Sequence, residues 1–195
     1  MITVNLTVRQ AWVSVRFLLV MTVVLGVAYP VALFAVGRIV PGTSDGSYVS
    51  TTSGAVVGSA LIGQSFDGAE WFWPRPSAAG DGYDALSSGG TNLAADNPDL
   101  VQAVAERKAA LAAANGVGPD AVPADAVTAS GSGLDPDISP DYARQQVARV
   151  ASARGIDPML VSGLVDEATQ GRLLGFVGEP RVNVLRLNLS LESVG

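Results

Sequence analysis

The 195-residue sequence contains no cysteine and no histidine, and its one lysine is Lys108. Without cysteine there is no disulfide scaffold, no thiol nucleophile and no thiolate metal site. Without histidine the commonest general base, the commonest zinc ligand and the usual pH switch are missing. Few enzyme mechanisms survive both absences. Lys108 sits inside a helical pattern, so no Gly-rich phosphate loop ending in Lys-Ser/Thr exists. Acidic charge is missing from the first 40 residues, where Arg9, Arg16 and Arg38 are the only charged side chains. Beyond them lie all 18 acids against 9 of the 12 bases, a balance of −9. A domain of that sign is not drawn to nucleic acid or to anionic lipid headgroups.

What is present starts with an apolar run. Phe17 to Gly37 is 21 residues without a charge. As a helix it covers roughly 31 Å, about the thickness of the bilayer hydrocarbon. A cleaved signal peptide has a shorter apolar core followed by a small-x-small site; here Pro30, Phe34 and Arg38 follow instead. The run therefore predicts a retained span. Arg9, Arg16 and the amino terminus on one side against Arg38 on the other favour an N-terminus in the cytoplasm. The remainder of the chain is then extracytoplasmic. Ala28, Ala32 and Ala35 share one helical face that a second helix can approach closely. Pro30 removes a backbone donor and predicts a kink.

The organisation that follows is a short tail over 1–14, a transmembrane helix over 15–38, a Gly/Ser/Thr-rich tether over 39–59 and a soluble domain over 60–195. The fold class is α+β: one N-terminal transmembrane helix followed by a single soluble α+β domain. Within the tether, Val49 to Val57 has room for a short strand. Trp71, Phe72 and Trp73 form a dense aromatic cluster, read chiefly as a core anchor. Arg75, between Pro74 and Pro76, is held in extended backbone and is a candidate partner contact. Residues 80–97 read as a loop. Asn97, Ser139 and Asp157 each precede a proline and a helical pattern, so three helices begin at Pro98, Pro140 and Pro158 and end near Gly116, Gly155 and Gly171. Leu100, Val101, Val104, Lys108 and Leu111 outline the inner face of the first. The C-terminal RVNVLRLNLSL alternates Leu185, Leu187, Leu189 and Leu191 with polar residues and reads as a strand; Val182 and Val184 are out of phase with that set, which a bulge near Val184 or burial of both faces would explain.

Several chemistries fail on inspection. Asp135, Asp137, Ser139 and Asp141 space oxygen ligands like the start of a calcium loop. Pro140 then stands where the sharp turn needs glycine, and Gln146 where the bidentate glutamate belongs. Ser130 and Ser132 have no base to activate them. Asp166 and Glu167 are adjacent on a helix and diverge, so they form no glycosidase pair. Residues 86–93, LSSGGTNL, are similar to the LSGGQ element that contacts nucleotide phosphates in ABC transporters, with an extra serine and no glutamine in place.

A span after a short basic N-terminus, then GSALIGQSF, WPRPSA, SSGGTNL, VPADAVTASGSGLDPDISP, QVARVASARG and GEPRVNVLRLNLSL occur in that order from Val15 onward. In this arrangement the chain resembles the KdpC family, the C subunit of the bacterial potassium-transporting P-type ATPase. The resemblance implies a non-catalytic accessory subunit of an ATP-driven potassium uptake complex in the cell membrane. Its partners would be a channel-like potassium-binding subunit and an ATP-hydrolysing P-type subunit. It implies a role in stabilising their assembly and in raising the ATP affinity of the latter as a catalytic chaperone. No cofactor is tightly bound on this reading, ATP entering only together with the ATPase subunit, and no metal. Ser87, Ser88, Gly89, Gly90 and Asn92, with Gln146, are the residues that such nucleotide or partner contact would use. Where the family often has histidine in SGLDPHISP, this chain has Asp137. A domain outside the cytoplasm meets little ATP, which weighs against direct nucleotide contact. The alternative is a membrane-anchored extracytoplasmic binding or sensor module using the Trp71–Arg75 region.

Overall fold

The computed structural model describes residues 2–194, with side chains from Leu6 onward. Met1, whose amino group entered the orientation argument, and Gly195 lie outside the described residues. The chain divides into two compact units, 1–47 and 48–195.

The first unit is helical from Ile2 onward, so the expected tail is helical as well. Helix α1 (Ile2–Val23) runs through a π-helical segment, Val24–Ala28, into α2 (Tyr29–Ile39). The widening directly precedes Pro30, where a missing N–H and the ring's clash with the preceding turn disturb the α-helical ladder. Where the sequence predicts a kink at Pro30, the structure has this π-helical segment immediately before it. Leu6–Ile39 is long and apolar enough to cross a membrane and leaves its side chains uncovered, with Trp12 65% and Phe34 70% exposed. Such a surface is stable in lipid or against other apolar helices. Pro41 ends α2. A single turn, α3 (Pro41–Ser44), returns the Ser44 hydroxyl to the Gly37 carbonyl at 2.8 Å, satisfying one orphan acceptor at the helix end.

The second unit opens with a hairpin, β1 (Tyr48–Ser50) against β2 (Val56–Ser59), so the expected tether carries two strands rather than one. A long segment without regular structure leads to α4 (Pro98–Asn115). There follow α5 (Ala124–Val127), β3 (Asp137–Ile138), α6 (Pro140–Arg154), α7 (Pro158–Ala168), β4 (Thr169–Gln170), β5 (Arg181–Asn183) and α8 (Val184–Glu192). The second sheet has the order β3-β5-β4, all antiparallel.

The three expected helix starts are capped as read. Asn97 accepts from the Asp99 amide at 2.9 Å, Ser139 from Tyr142 at 3.0 Å and Asp157 from Met159 at 2.8 Å. Gly116 and Gly155 close α4 and α6 in the left-handed conformation. On α4, Val104 and Leu111 of the expected inner face pack against the core, together with the buried Ala112 and Asn115, whereas Val101 is 55% exposed.

The C-terminal strand reading is corrected: only Arg181–Asn183 is strand, and Val184–Glu192 is a helix. Asn183 ends the strand and caps the helix, its carboxamide oxygen accepting from the Arg186 amide at 3.1 Å. The buried set on this helix includes Val184, Leu187, Asn188 and Leu191, spaced as one helical face, whereas Leu189 is only partly covered. The phase change between Val184 and Leu185 is therefore a change of secondary structure and not a bulge.

Phe72, Tyr142, Val150, Val161, Val165, Val182, Leu187 and Leu191 form the centre of the core. Around Phe72 the packing is also polar. Asn188 accepts from the Phe72 amide at 2.8 Å and donates to its carbonyl at 3.0 Å. Gln146 does the same for Trp73, at 2.7 and 3.2 Å. Two side-chain amides thus serve as ladder partners for a segment that belongs to no strand. Replacing Asn188 by leucine would leave both buried backbone groups of Phe72 unpaired. A loss of about 3 kcal/mol follows, read as a fall of roughly 10 °C in the thermal midpoint of the full chain in detergent. An unchanged midpoint would show that these bonds add nothing to stability.

Candidate functional site

The residues singled out from the sequence fall into four places. Gln146 is fully buried in α6. Besides its Trp73 bonds, its carboxamide oxygen accepts from Arg149 Nη2 at 2.6 Å. Arg149 also donates to the Ala69 and Trp71 carbonyls and to Asn115, and its guanidinium stands 3.6 Å from the Trp73 ring centroid. Burial pushes the Arg149 guanidinium down to about 10, opposed by charge from Tyr142 and Glu70, which still leaves it a cation at neutral pH. Arg154 covers Trp71 in the same manner at 4.4 Å. The aromatic cluster is an internal anchor, with Phe72 wholly enclosed and both tryptophans under arginines.

The Ser-Gly loop lies elsewhere and pairs with the second Gly/Ser loop at 130–133. The Gly89 amide and the Ser88 hydroxyl both donate to the Ser132 carbonyl, at 2.9 and 3.0 Å. The Ser87 amide closes a turn on Asp84, and Asn92 holds a left-handed φ of 52°. The approach of the two loops requires Gly133: at φ 67°, a Cβ there would lie 2.6 Å from the Ala79 nitrogen and 2.7 Å from the Gly89 oxygen. Ser77 ties the same corner, donating to the Gly133 carbonyl at 2.7 Å and accepting from the Tyr83 amide at 2.8 Å. No hydrogen bond joins this loop to Gln146 among the described residues.

Arg75 is half-buried in an ion pair with Asp135 at 2.7 Å, and the Tyr83 hydroxyl donates to its carbonyl. It lines an open depression of about 500 Å³ together with Asp125, Asp137, Ser139, Glu179 and Arg181. A second depression of about 720 Å³ shares Ser139 and Glu179 with it and adds Asp141, Arg144 and Asp166. The carboxylates here have partners, two of them sharing Arg144. Asp137 meets Arg181 at 3.0 Å, Asp141 and Asp166 meet Arg144 at 3.5 and 3.3 Å, and Asp125 accepts from the Ser139 amide and hydroxyl at 2.7 and 2.9 Å. Among the described residues no group of three or more acids is arranged to hold a metal ion. Ala28, Ala32 and Ala35 lie on the first unit and are exposed.

The residues that organise this domain and went unsingled in the sequence are Arg149, Asn183 and Asn188. Arg149 follows Gln146 by three positions, so both face the same way, and that spacing was the available signal. Asn188 gave none, because its helix read as a strand.

The model of a family described as "K+-transporting ATPase, c chain" matches residues 11–193. The chain belongs to the KdpC family. A protein of Kineococcus radiotolerans named as a potassium-transporting ATPase KdpC subunit is 59% identical over 185 residues, covering 95% of this chain and 94% of that one. Proteins of the same name from Beijerinckia indica and Caulobacter vibrioides are 49% and 53% identical, covering 95% and 88% of this chain and 93% and 87% of their own lengths.

Asp137, where the resemblance led to an expectation of histidine, has defined surroundings in the structure. Its carboxylate accepts from Asn183 Nδ2 at 3.1 Å and faces Arg181. Burial raises its pKa, partly offset by the Asn183 hydrogen bond and the Arg181 charge. The folded state therefore holds this proton more tightly than the unfolded chain. Ionisation costs stability as pH rises from the ordinary carboxylate value, about 4, through the raised one. Asp137→Asn stays neutral and escapes that cost. The melting temperature of the variant should gain on that of the parent between pH 4 and pH 7. A difference that is constant with pH would mean that Asp137 ionises without penalty.

Proposed function

We propose that this KdpC-family chain is a non-catalytic accessory subunit of an ATP-driven potassium uptake complex. It holds the channel-like and ATP-hydrolysing subunits in assembly, from an extracytoplasmic domain on one membrane span. The observation that carries this reading is the family match over residues 11–193, with relatives named as KdpC subunits at up to 59% identity. The geometry supports bracing over chemistry. Gln146 is committed to Trp73 and Arg149, and the donors of Ser88 and Gly89 to the Ser132 carbonyl. A nucleotide would have to displace those bonds. Raised ATP affinity in the catalytic subunit would then come through assembly, ATP meeting this chain only in that subunit's company. The binding-module alternative loses the Trp71–Arg75 surface, since the tryptophans lie under arginines and Arg75 is paired.

The chain, tagged at its C-terminus and purified in mild detergent from potassium-starved cells, should co-elute with two larger membrane proteins and a potassium-stimulated ATPase activity. Elution alone would overturn the reading. A C-terminal reporter that is active only outside the cytoplasm should be active; silence there, with activity from a cytoplasmic reporter, would reverse the orientation.

A further inference from the structure

Between β4 and β5 the chain leaves the domain. All ten residues from Gly171 to Pro180 are exposed. No atom beyond the immediate chain neighbours lies within 4 Å of where a side chain at Gly171, Gly175 or Gly178 would begin. The excursion is nevertheless ordered by its own bonds. Leu173 and Val177 exchange both backbone hydrogen bonds at 2.9 Å, and the Gly175 amide closes on the Arg172 carbonyl at 3.1 Å. At the base Arg172 and Glu179 pair at 2.6 Å.

What this small hairpin presents is apolar. Leu173, Leu174, Phe176 and Val177 are 68%, 78%, 75% and 48% exposed. Four large apolar side chains in five residues, all turned to solvent, are unusual on a soluble domain and mark an interaction site. Leu174 sits at φ 54°, where glycine or asparagine is the ordinary choice. A leucine in a left-handed tip conformation is not what the turn itself calls for, and directs attention to its side chain.

We propose that the 173–177 tip is a docking knob that seats in an apolar, uncharged cleft of a partner subunit of the complex. This rests on the function proposed above. Charge argues for a protein cleft over lipid. Segments that lie in the bilayer interface carry basic residues on their polar side; the one base here, Arg172, is neutralised by Glu179. The chain beyond residue 40 holds 18 acids against 9 bases, which anionic headgroups repel. Size argues for an anchor within a larger assembly, since four side chains are too few to hold free proteins together. A knob on a domain already confined beside its partners by a membrane span needs far less contact, because the second encounter is effectively intramolecular.

The absence of native cysteine makes the test direct. Leu174→Cys places a single thiol at the tip, and Leu86→Cys places one at a site 98% exposed elsewhere in the domain. In the purified complex, a membrane-impermeant maleimide should label residue 174 about tenfold more slowly than in the separated chain, with residue 86 unchanged. A benzophenone maleimide at 174 should cross-link to one larger subunit. Phe176→Asp should lower the yield of co-eluting subunits about tenfold at an unchanged thermal midpoint of the free chain. Equal labelling in complex and free chain, cross-linking to lipid, or cross-linking to a second copy of this chain would each overturn the knob. If the unmodified chain elutes alone, the function reading fails first; if it co-elutes and the tip stays open, only the knob fails.

Discussion

The backbone of Phe72 and Trp73 passes between helices with no strand to receive it, and everything else in the domain is arranged around that fact. Each residue presents an N–H and a C=O to a dry interior, where an unpaired group costs on the order of 1–3 kcal/mol. Asn188 from α8 and Gln146 from α6 each cover one residue completely. A carboxamide has a donor and an acceptor at the spacing of a peptide group, which is why Asn and Gln can stand in for a neighbouring strand. Moving either helix along its axis would break two bonds at once. The clamp therefore fixes the register of α6 and α8 against the aromatic segment more tightly than apolar contact alone, which is non-directional.

Arg149 extends the same logic. Its donors reach two carbonyls, one asparagine and one glutamine, and its face lies on Trp73. Burial works against its charge, and the set of acceptors compensates. Lysine would not serve, because it lacks the planar fork that reaches several acceptors at fixed angles. The long unstructured passages are held in a comparable way, through Ser77, Gly133 and the Arg75–Asp135 pair. Segments of this length without helix or strand are uncommon inside compact domains. Here backbone-to-side-chain bonds take over the ordering that ladders would otherwise supply.

The parts of this architecture legible in the sequence are those coded locally. Asn97-Pro98, Ser139-Pro140 and Asp157-Pro158 begin helices because a cap and a proline act within one turn, whatever surrounds them. The apolar run after Arg16 was legible because lipid asks only for length and hydrophobicity. The C-terminal segment was not, because its leucines alternate with period two while Val184, Leu187, Asn188 and Leu191 satisfy the helical period equally well. What decides between them is Phe72, 116 positions away, which needs Asn188 on the inner face. Arg75 was read as a candidate partner contact for the same reason: its partner within the chain, Asp135, is 60 positions distant. Residues 87–92 were recognisable as a loop, yet nothing local showed that Ser132 would take up their donors. The ordered motifs identified the family, since that depends on the order of local signals and not on their contacts.

The 116-residue gap between Phe72 and Asn188 also governs the order of events at birth. At about 5–20 residues per second of synthesis, the aromatic segment exists for several seconds before its clamp has been made. The apolar helix precedes both and can enter the bilayer at once, needing no distant partner. Anchoring is thus an early, local event and closure of the domain a late one. In the interval an open chain with Trp71, Phe72 and Trp73 uncovered hangs at the membrane surface, within reach of any holdase or protease stationed there.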